Sequence, residues 1–290
     1  MAPPLTRLAE GPQQQSPSKT ASPDGEPNSH SEVIVTNSSP NPNPNPMLPS
    51  HLIVVCCHGI WLGGPSRGHD ESEWLIAPFQ AGETATFIRH IEAGVRLHAE
   101  DRDHSVLMFS GAPTRPETDM SEAQSYVRVA MHNAYWSLLA PPVWDTDILL
   151  EERALDSYSN ILFSLTRFRA RIGRWPENLT LVGHAFKQRR LESHLAAIGF
   201  PRHRTRFHGI DPPHVADRPD ILAGIAAAER EWAADPHGRG ASLAGKRRQR
   251  NPHDVWQGVF EEGIDDTAGL LTSGRGFDET LVDNATRPWC

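Results

Sequence analysis

From residue 51 onward, apolar and polar positions alternate between two kinds of pattern. "HLIVVCC" (51–57) is an unbroken apolar run ending just before Gly59, the pattern of a strand buried on both faces. In "GETATFIRHIEAGVRLHAED" (82–101), Phe87, Ile88, Ile91 and Val95 recur at helical spacing, which predicts an amphipathic helix. "SVLMFSG" (105–111) predicts a second buried strand. "SEAQSYVRVAMHNAYWSLLA" (121–140) predicts a second helix, with Ser121 as its cap and Gln124 three residues on.

The alternation continues. "TDILLEE" (146–152) predicts a third strand. "DSYSNILFSLTRFRARIG" (156–173) predicts a third helix, with Ile161, Leu165, Phe168 and Ile172 on its apolar stripe, Asp156 at its start and Gly173 at its end. "NLTLVG" (178–183) and "FKQRRLESHLAAIG" (186–199) predict a fourth strand and helix, and "RTRFHGI" (204–210) a fifth strand stopped by "DPP" at 211–213. Helical stretches are predicted near 219–234 and 253–262; the last thirty residues carry no clear pattern. Repeated strand–helix alternation predicts parallel pairing and an α/β, Rossmann-like three-layer αβα sandwich with a mostly parallel sheet.

Composition divides the chain of 290 residues. Residues 1–50 hold 11 of the 25 prolines and no Phe, Trp or Tyr. Such a Pro/Ser/Asn-rich stretch has nothing to bury and is expected to be a disordered tail. Residues 51–215 then form the αβα domain, and 216–290 a C-terminal helical extension packed on it. No apolar run of about 7–15 residues opens the sequence, so no signal peptide is expected. "LIVVCC" falls far short of the roughly 20 residues that cross a bilayer. A cytoplasmic location and no membrane partner are the expectations.

The net charge of −8 argues against a nucleic-acid partner. The one basic run, "GKRRQR" (245–250), reads as a solvated loop or a local anion contact. Cys56, Cys57 and Cys290 form no C-x-x-C pair and no disulfide framework. Cys56 and Cys57 are adjacent in a strand, so their side chains are expected on opposite faces as small packing residues.

Parallel αβα sheets bind ligands beyond the carboxyl ends of their strands, so the residues just after each strand matter most. "HGIWLGG" (58–64) follows strand one, with Gly59, Gly63 and Gly64 allowing close backbone approach; it is not G-x-G-x-x-G, so the dinucleotide fingerprint is absent. Ser110 and Gly111 follow strand two, with Glu122 at the next helix start. Glu151, Glu152, Asp156, Ser157 and Asn160 follow strand three; His184, Lys187 and Arg190 follow strand four. Helix N-termini, cations and carboxylates together predict a small anionic, phosphorylated or nucleotide-like metabolite as the partner. The candidate ligand-binding residues are Gly59, Gly63, Ser110, Gly111, Ser157, Asn160, His184, Lys187 and Arg190. Glu122 and Glu151 are the candidate catalytic carboxylates. No H-x-x-x-H or H-E-x-x-H spacing occurs, so no metal is expected, and no cofactor is named by the pattern.

Two shorter signals point toward a hydrolase. "CCHGIWLGG" mimics the oxyanion loop of an α/β-hydrolase, and "LVGHAFK" occupies the place of a G-x-S-x-G elbow, with Ala185 where the nucleophile would stand. A serine hydrolase using Ser110 is therefore one alternative, although "FSGAP" lacks the glycine two residues before the serine. A non-catalytic binding or scaffold protein, recruiting partners through residues 1–50, is the other.

Taken in order, the Gly-rich turn, Ser110-Gly111 followed by Glu122-Ala123, the "E-E-x-A-x-D-S-Y-S-N" stretch, "GHAFKQRR" and "GIDPP" resemble the SanA/YdcF-like domain-of-unknown-function family, in its fungal-type soluble branch. The resemblance covers residues 51–215, and "DPHGRG" with "KRRQRN" extends it to about residue 260. It implies a Rossmann-like fold and no established activity. It places the family's polar positions on Ser110, Gly111, Glu122, Glu151, Ser157, Asn160, Lys187 and Arg190. In bacterial members the strand-four motif tends to a serine or threonine run with a histidine; Gly183-His184-Ala185-Phe186-Lys187 departs from it.

Overall fold

The computed structural model describes residues 48–143, 146–213, 215–264 and 266–290; the expected tail lies almost wholly outside them. Strand β1 (His51–Cys56) is followed by a small antiparallel pair, β2 (Ile60–Trp61) and β3 (Trp74–Leu75). Then come α1 (Thr84–Glu100), β4 (Ser105–Ser110), α2 (Glu122–His132), β5 (Ile148–Glu151) and α3 (Ser157–Ile172). Strand β6 (Asn178–Gly183), α4 (Gln188–Ile198), β7 (Thr205–Gly209), α5 (Pro219–Ala234) and α6 (Ala241–Gln249) follow. A second antiparallel pair, β8 (Thr272–Ser273) and β9 (Thr280–Leu281), closes the sequence of elements.

Five strands form one parallel sheet in the order β5-β4-β1-β6-β7. Helices cover both faces, giving the Rossmann-like three-layer sandwich. Alternate side chains of β1 divide between the faces. Ile53, Val55 and Cys57 pack with Phe87, Ile91 and Tyr126 of α1 and α2. Leu52, Val54 and Cys56 pack with Leu162, Leu165 and Leu195 of α3 and α4. These positions are almost wholly buried, each contributing about 1.5–3 kcal/mol for a large aliphatic or aromatic side chain. Where α1 crosses β1 a side chain has no room: a Cβ on Gly94 would lie 2.4 Å from Val55 Cγ2. No helix among the described residues is long and apolar enough to cross a membrane.

Three elements differ from expectation. Helix α2 stops at His132, not near residue 140. Asn133 binds the Val129 carbonyl through both its backbone N–H and its side-chain Nδ2, and Ala134–Ser137 turn with positive φ. The apolar pattern runs on regardless because Leu139 still packs into the core. The segment 253–262 is not a helix. Its backbone is satisfied by side chains instead: Arg153 donates to Gly258 and Phe260 carbonyls (2.7 and 3.0 Å), Thr166 to that of Val259 (2.9 Å), and Glu279 accepts from the Val259 N–H (2.8 Å). This lets Val259 and Phe260 enter the core without helical backbone bonds. The basic run at 245–250, expected as a loop, forms the last turn of α6 and its cap.

The chain passes from β1 outward to β4 and β5, then returns to β6 on the other side of β1. The strand order therefore reverses between β1 and β6, and a crevice opens there beyond their carboxyl ends.

Candidate functional site

A cavity of 670 Å³ occupies this crevice. The ends of β1 and β6 supply its floor through Cys56, Cys57, His58, Gly183 and His184. Helix α5 contributes one stripe, Ile221, Ile225, Ala228 and Trp232, spaced three and four apart as helix geometry requires. Helix α6 and its cap add Leu243, Lys246, Arg247 and Arg250 by the same spacing.

Each polar group is held by the fold around it. His58 is fixed at its backbone: its N–H donates to the Tyr126 hydroxyl at 3.2 Å, and its carbonyl accepts from Gln80 Nε2 at 2.8 Å. His184 leads into a single 3-10 turn, Ala185–Lys187, tied by the Lys187 N–H to the His184 carbonyl (3.0 Å) and by the Phe186 N–H to Asp211 (3.1 Å). That turn aims Lys187 back at the strand ends, its Nζ 3.3 Å from His58 Nδ1. Asp156 caps α3 by accepting from the Ser159 N–H at 2.8 Å, which sets Ser157 at the cavity wall with its Oγ 2.9 Å from His194 Nε2.

The electrostatics are those of a cationic, desolvated pocket. Burial, reinforced by the neighbouring Arg190, brings the Lys187 ammonium down to about 7. Burial and the nearby Arg250 also lower Arg190, whose Nε is cut off from water with no hydrogen-bond partner. Neither Lys187 nor Arg190 makes an ion pair among the described residues, whereas Lys246 pairs with Glu231 and Arg247 with Asp156. Burial raises the carboxyl groups of Glu83 and Glu122 above the usual range. It holds His58 and His184 well below the ordinary imidazole value and His90 at about 4.

The structure brings Glu122, Ser157, Asn160, His184, Lys187 and Arg190 to this one cavity. Five expected residues do not line it. Ser110 is fully buried and donates to Glu151 at 2.7 Å; Glu151 also accepts from the Arg153 and Ala154 N–H groups. The pair stands side by side across β4 and β5, in register, so each consumes the other. Gly111 donates its N–H to the Glu151 carbonyl at 2.9 Å, leaving no free amide for an anion. Gly59 is packed under Ile76 and Phe87, and Gly63 turns the chain (φ 99°) beside Arg128.

Sequence reasoning missed His58, His90, Glu83, Arg115, Arg247 and Arg250. His58 follows a strand directly and obeys the same positional rule as the others. His90 sits mid-helix on the buried stripe of α1 and gives no such signal. His58, His90 and His184 each offer a ring nitrogen within 4.8 Å of the other two. The His58 and His184 rings stack 4.5 Å apart, and His90 meets His184 edge-on at 4.8 Å.

No protein-family model matches the chain, and no solved structure matches it. The SanA/YdcF-like likeness therefore rests on its motifs alone. A protein of Saccharomyces cerevisiae described as "Uncharacterized protein YOR238W" is 30% identical over 206 residues, which span 56% of this chain and 67% of that protein.

Proposed function

The chain belongs to the family of the uncharacterized yeast protein YOR238W, and from its cavity we propose that it binds a small phosphorylated or nucleotide-like anion, with transferase or hydrolase chemistry on that ligand. One observation carries the reading. Lys187 and Arg190 line the crevice with no carboxylate within ion-pair distance among the described residues, and Arg190 Nε has no hydrogen-bond partner among them. Half-buried cations without a carboxylate partner lose part of their hydration, and an anionic ligand with several acceptor oxygens offsets that cost through charge-assisted hydrogen bonds. The location supports it as well, since parallel sheets bind ligands where the strand order reverses. Glu122, held at 2.8 Å by the Thr114 hydroxyl, is the carboxyl group placed to exchange a proton with the ligand. Burial raises its affinity for a proton, the direction that suits a general acid.

The test is a thermal-shift titration of the chelator-treated chain with inorganic pyrophosphate and with adenosine 5′-monophosphate. Occupancy at 100 times Kd stabilises by about 2.7 kcal/mol, a rise of about 5–10 °C for a unit of this size. The double variant Lys187→Met/Arg190→Met is expected to fold and to show no shift. A double variant that keeps the full shift, or a wild-type chain that neither probe moves, refutes the reading.

Ser157, 2.9 Å from His194 Nε2 at the cavity wall, favours a second reading as a serine hydrolase, with the nucleophile at Ser157 and not at Ser110. Burial pushes His194 down to about 3, which makes it a weak base and ranks this reading second. Fluorophosphonate labelling lost in Ser157→Ala would support it, and no labelling removes it.

A further inference from the structure

We infer that His58, His90 and His184 form a binding site for a divalent transition-metal ion of the zinc or cobalt class, at the floor of the cavity. The inference does not need the anion reading. It stands on unsatisfied nitrogens gathered in one place. His58 Nε2, His90 Nδ1 and both ring nitrogens of His184 are shut off from bulk water with no hydrogen-bond partner among the described residues. Buried polar groups are almost always paired, and one nitrogen from each of the three rings, all within 4.8 Å of one another, calls for a common partner. His90 and His184 are 0% and 1% exposed, so bulk solvent does not reach them.

The chemistry of the donors selects the partner. Each neutral imidazole carries one N–H and one lone pair, yet no hydrogen bond joins these three rings among the described residues. A metal ion accepts all three at once. His90 shows the arrangement most directly. Its Nε2 lies 2.8 Å from the Ile210 carbonyl, which only accepts, so Nε2 carries the proton and Nδ1 presents a bare lone pair. Fixing one ring nitrogen on a backbone carbonyl is how metal-binding imidazoles are oriented. Glu83 stands behind the third ligand, its Oε2 3.6 Å from His184 Nε2, placed to hold that ring or to join it. Imidazole with carboxylate suits zinc, copper, iron and nickel more than calcium or magnesium.

The scale fits with small ring rotations. Three nitrogens now within 4.8 Å of one another need to close to about 3.3 Å around an ion at 2.0–2.1 Å. Three protein ligands leave a fourth position, as in catalytic zinc sites. His58 and His184 line the cavity, so that position would open toward it.

The experiment uses the full chain, stripped with a chelator and titrated with Co(II) chloride. The expected result is one equivalent bound per chain with the intense visible absorption of a four-coordinate Co(II) ion. The band is lost in His184→Ala and kept in His203→Ala, at an exposed histidine just before β7, beyond the amino end of the strand. Glu83→Gln, a positioning change, is expected to weaken binding about 10–100-fold without abolishing the band. Circular dichroism reports whether each variant folds. Because the histidines are buried, X-ray absorption of the zinc-loaded wild-type chain decides independently of any variant, with three imidazoles expected in its scattering. A spectrum of the six-coordinate aqua ion, a band retained by folded His184→Ala, or fewer than three imidazoles overturns the inference. The pyrophosphate titration is made on the metal-free chain, so either proposal can fail alone.

Discussion

Gly111→Ala tests how tightly the cavity wall is built. Gly111 lies just beyond β4, pinned on both sides: its N–H donates to the Glu151 carbonyl (2.9 Å) and its carbonyl accepts from the Ala123 N–H (3.1 Å). A Cβ added there would lie 2.8 Å from Glu122 Oε2, 2.9 Å from Glu122 Cβ and 3.0 Å from Cys57 Cβ. Comfortable carbon contacts are about 3.5–4.0 Å. The Glu122 carboxylate can swing away, but its Cβ rides on the first turn of α2, and Cys57 is buried at the end of β1. Overpacking of this kind costs about 1–3 kcal/mol. Alanine repays about 0.4–1 kcal/mol by restricting the unfolded chain. The net expectation is a loss of about 1–2 kcal/mol, or a fall in Tm of about 2–8 °C. Gly183→Ala is the matched control, at the end of β6 with nothing nearer than Cys56 Cβ at 3.9 Å. Its change is expected to stay within about 0.5 kcal/mol. Urea denaturation of both variants and the wild type in one buffer measures the difference. Equal stability of Gly111→Ala and the wild type, or an equal fall in Gly183→Ala, refutes the reasoning.

Two further outcomes follow from Glu73 and from the cysteines. Glu73 gathers the loop between β2 and β3 by accepting from the Ser66 hydroxyl (2.6 Å), Trp61 Nε1 (2.8 Å) and the Ser66 and Gly68 N–H groups; led by the Ser66 hydroxyl, these bring its carboxyl down to about 2. Its folded value lies below the unfolded one, so its contribution is present above about pH 4.5 and is lost as pH falls toward 2. The urea midpoint of the wild type should therefore fall faster than that of Glu73→Gln over that window, and parallel curves would count against it. Burial pushes Cys56 up to about 11 and Cys57 well above the ordinary thiol value, while Cys290 is exposed. A disulfide reagent at pH 8 should titrate one thiol per native chain and all three after denaturation; a second fast native thiol would contradict the packing.

Legibility in this sequence followed burial and failed at register. "LIVVCC" and "VLMFS" read as strands because a parallel strand covered on both faces has no polar side to interrupt it. α3 read cleanly because Asp156 and Gly173 mark its ends by their own chemistry. The rule that function sits after strands also worked for Glu122, Ser157, Asn160, His184, Lys187 and Arg190. It could not say which strand-end groups are free. Ser110 and Glu151 obey the rule equally, yet pairing β4 with β5 sets them opposite each other, and a hydroxyl and a carboxylate so placed satisfy one another. That pairing depends on the order of strands in the sheet, which the order along the chain does not specify. The same ignorance hid His90. On α1 alone it belongs to the buried stripe with Phe87 and Ile91, and nothing local separates a packing histidine from one turned toward two others. Only the reversal of strand order, which lays β6 beside β1, brings His184 and His58 against it. Arg247 and Arg250 were missed for a complementary reason. α6 has no apolar stripe to announce a helix, so its cations read as a solvated loop or a local anion contact with no place in the site, although one of its faces lines the cavity. A polar residue in such a fold is available to a ligand when its neighbours in space leave it unpaired. The chain's own order supplies the residue but not those neighbours.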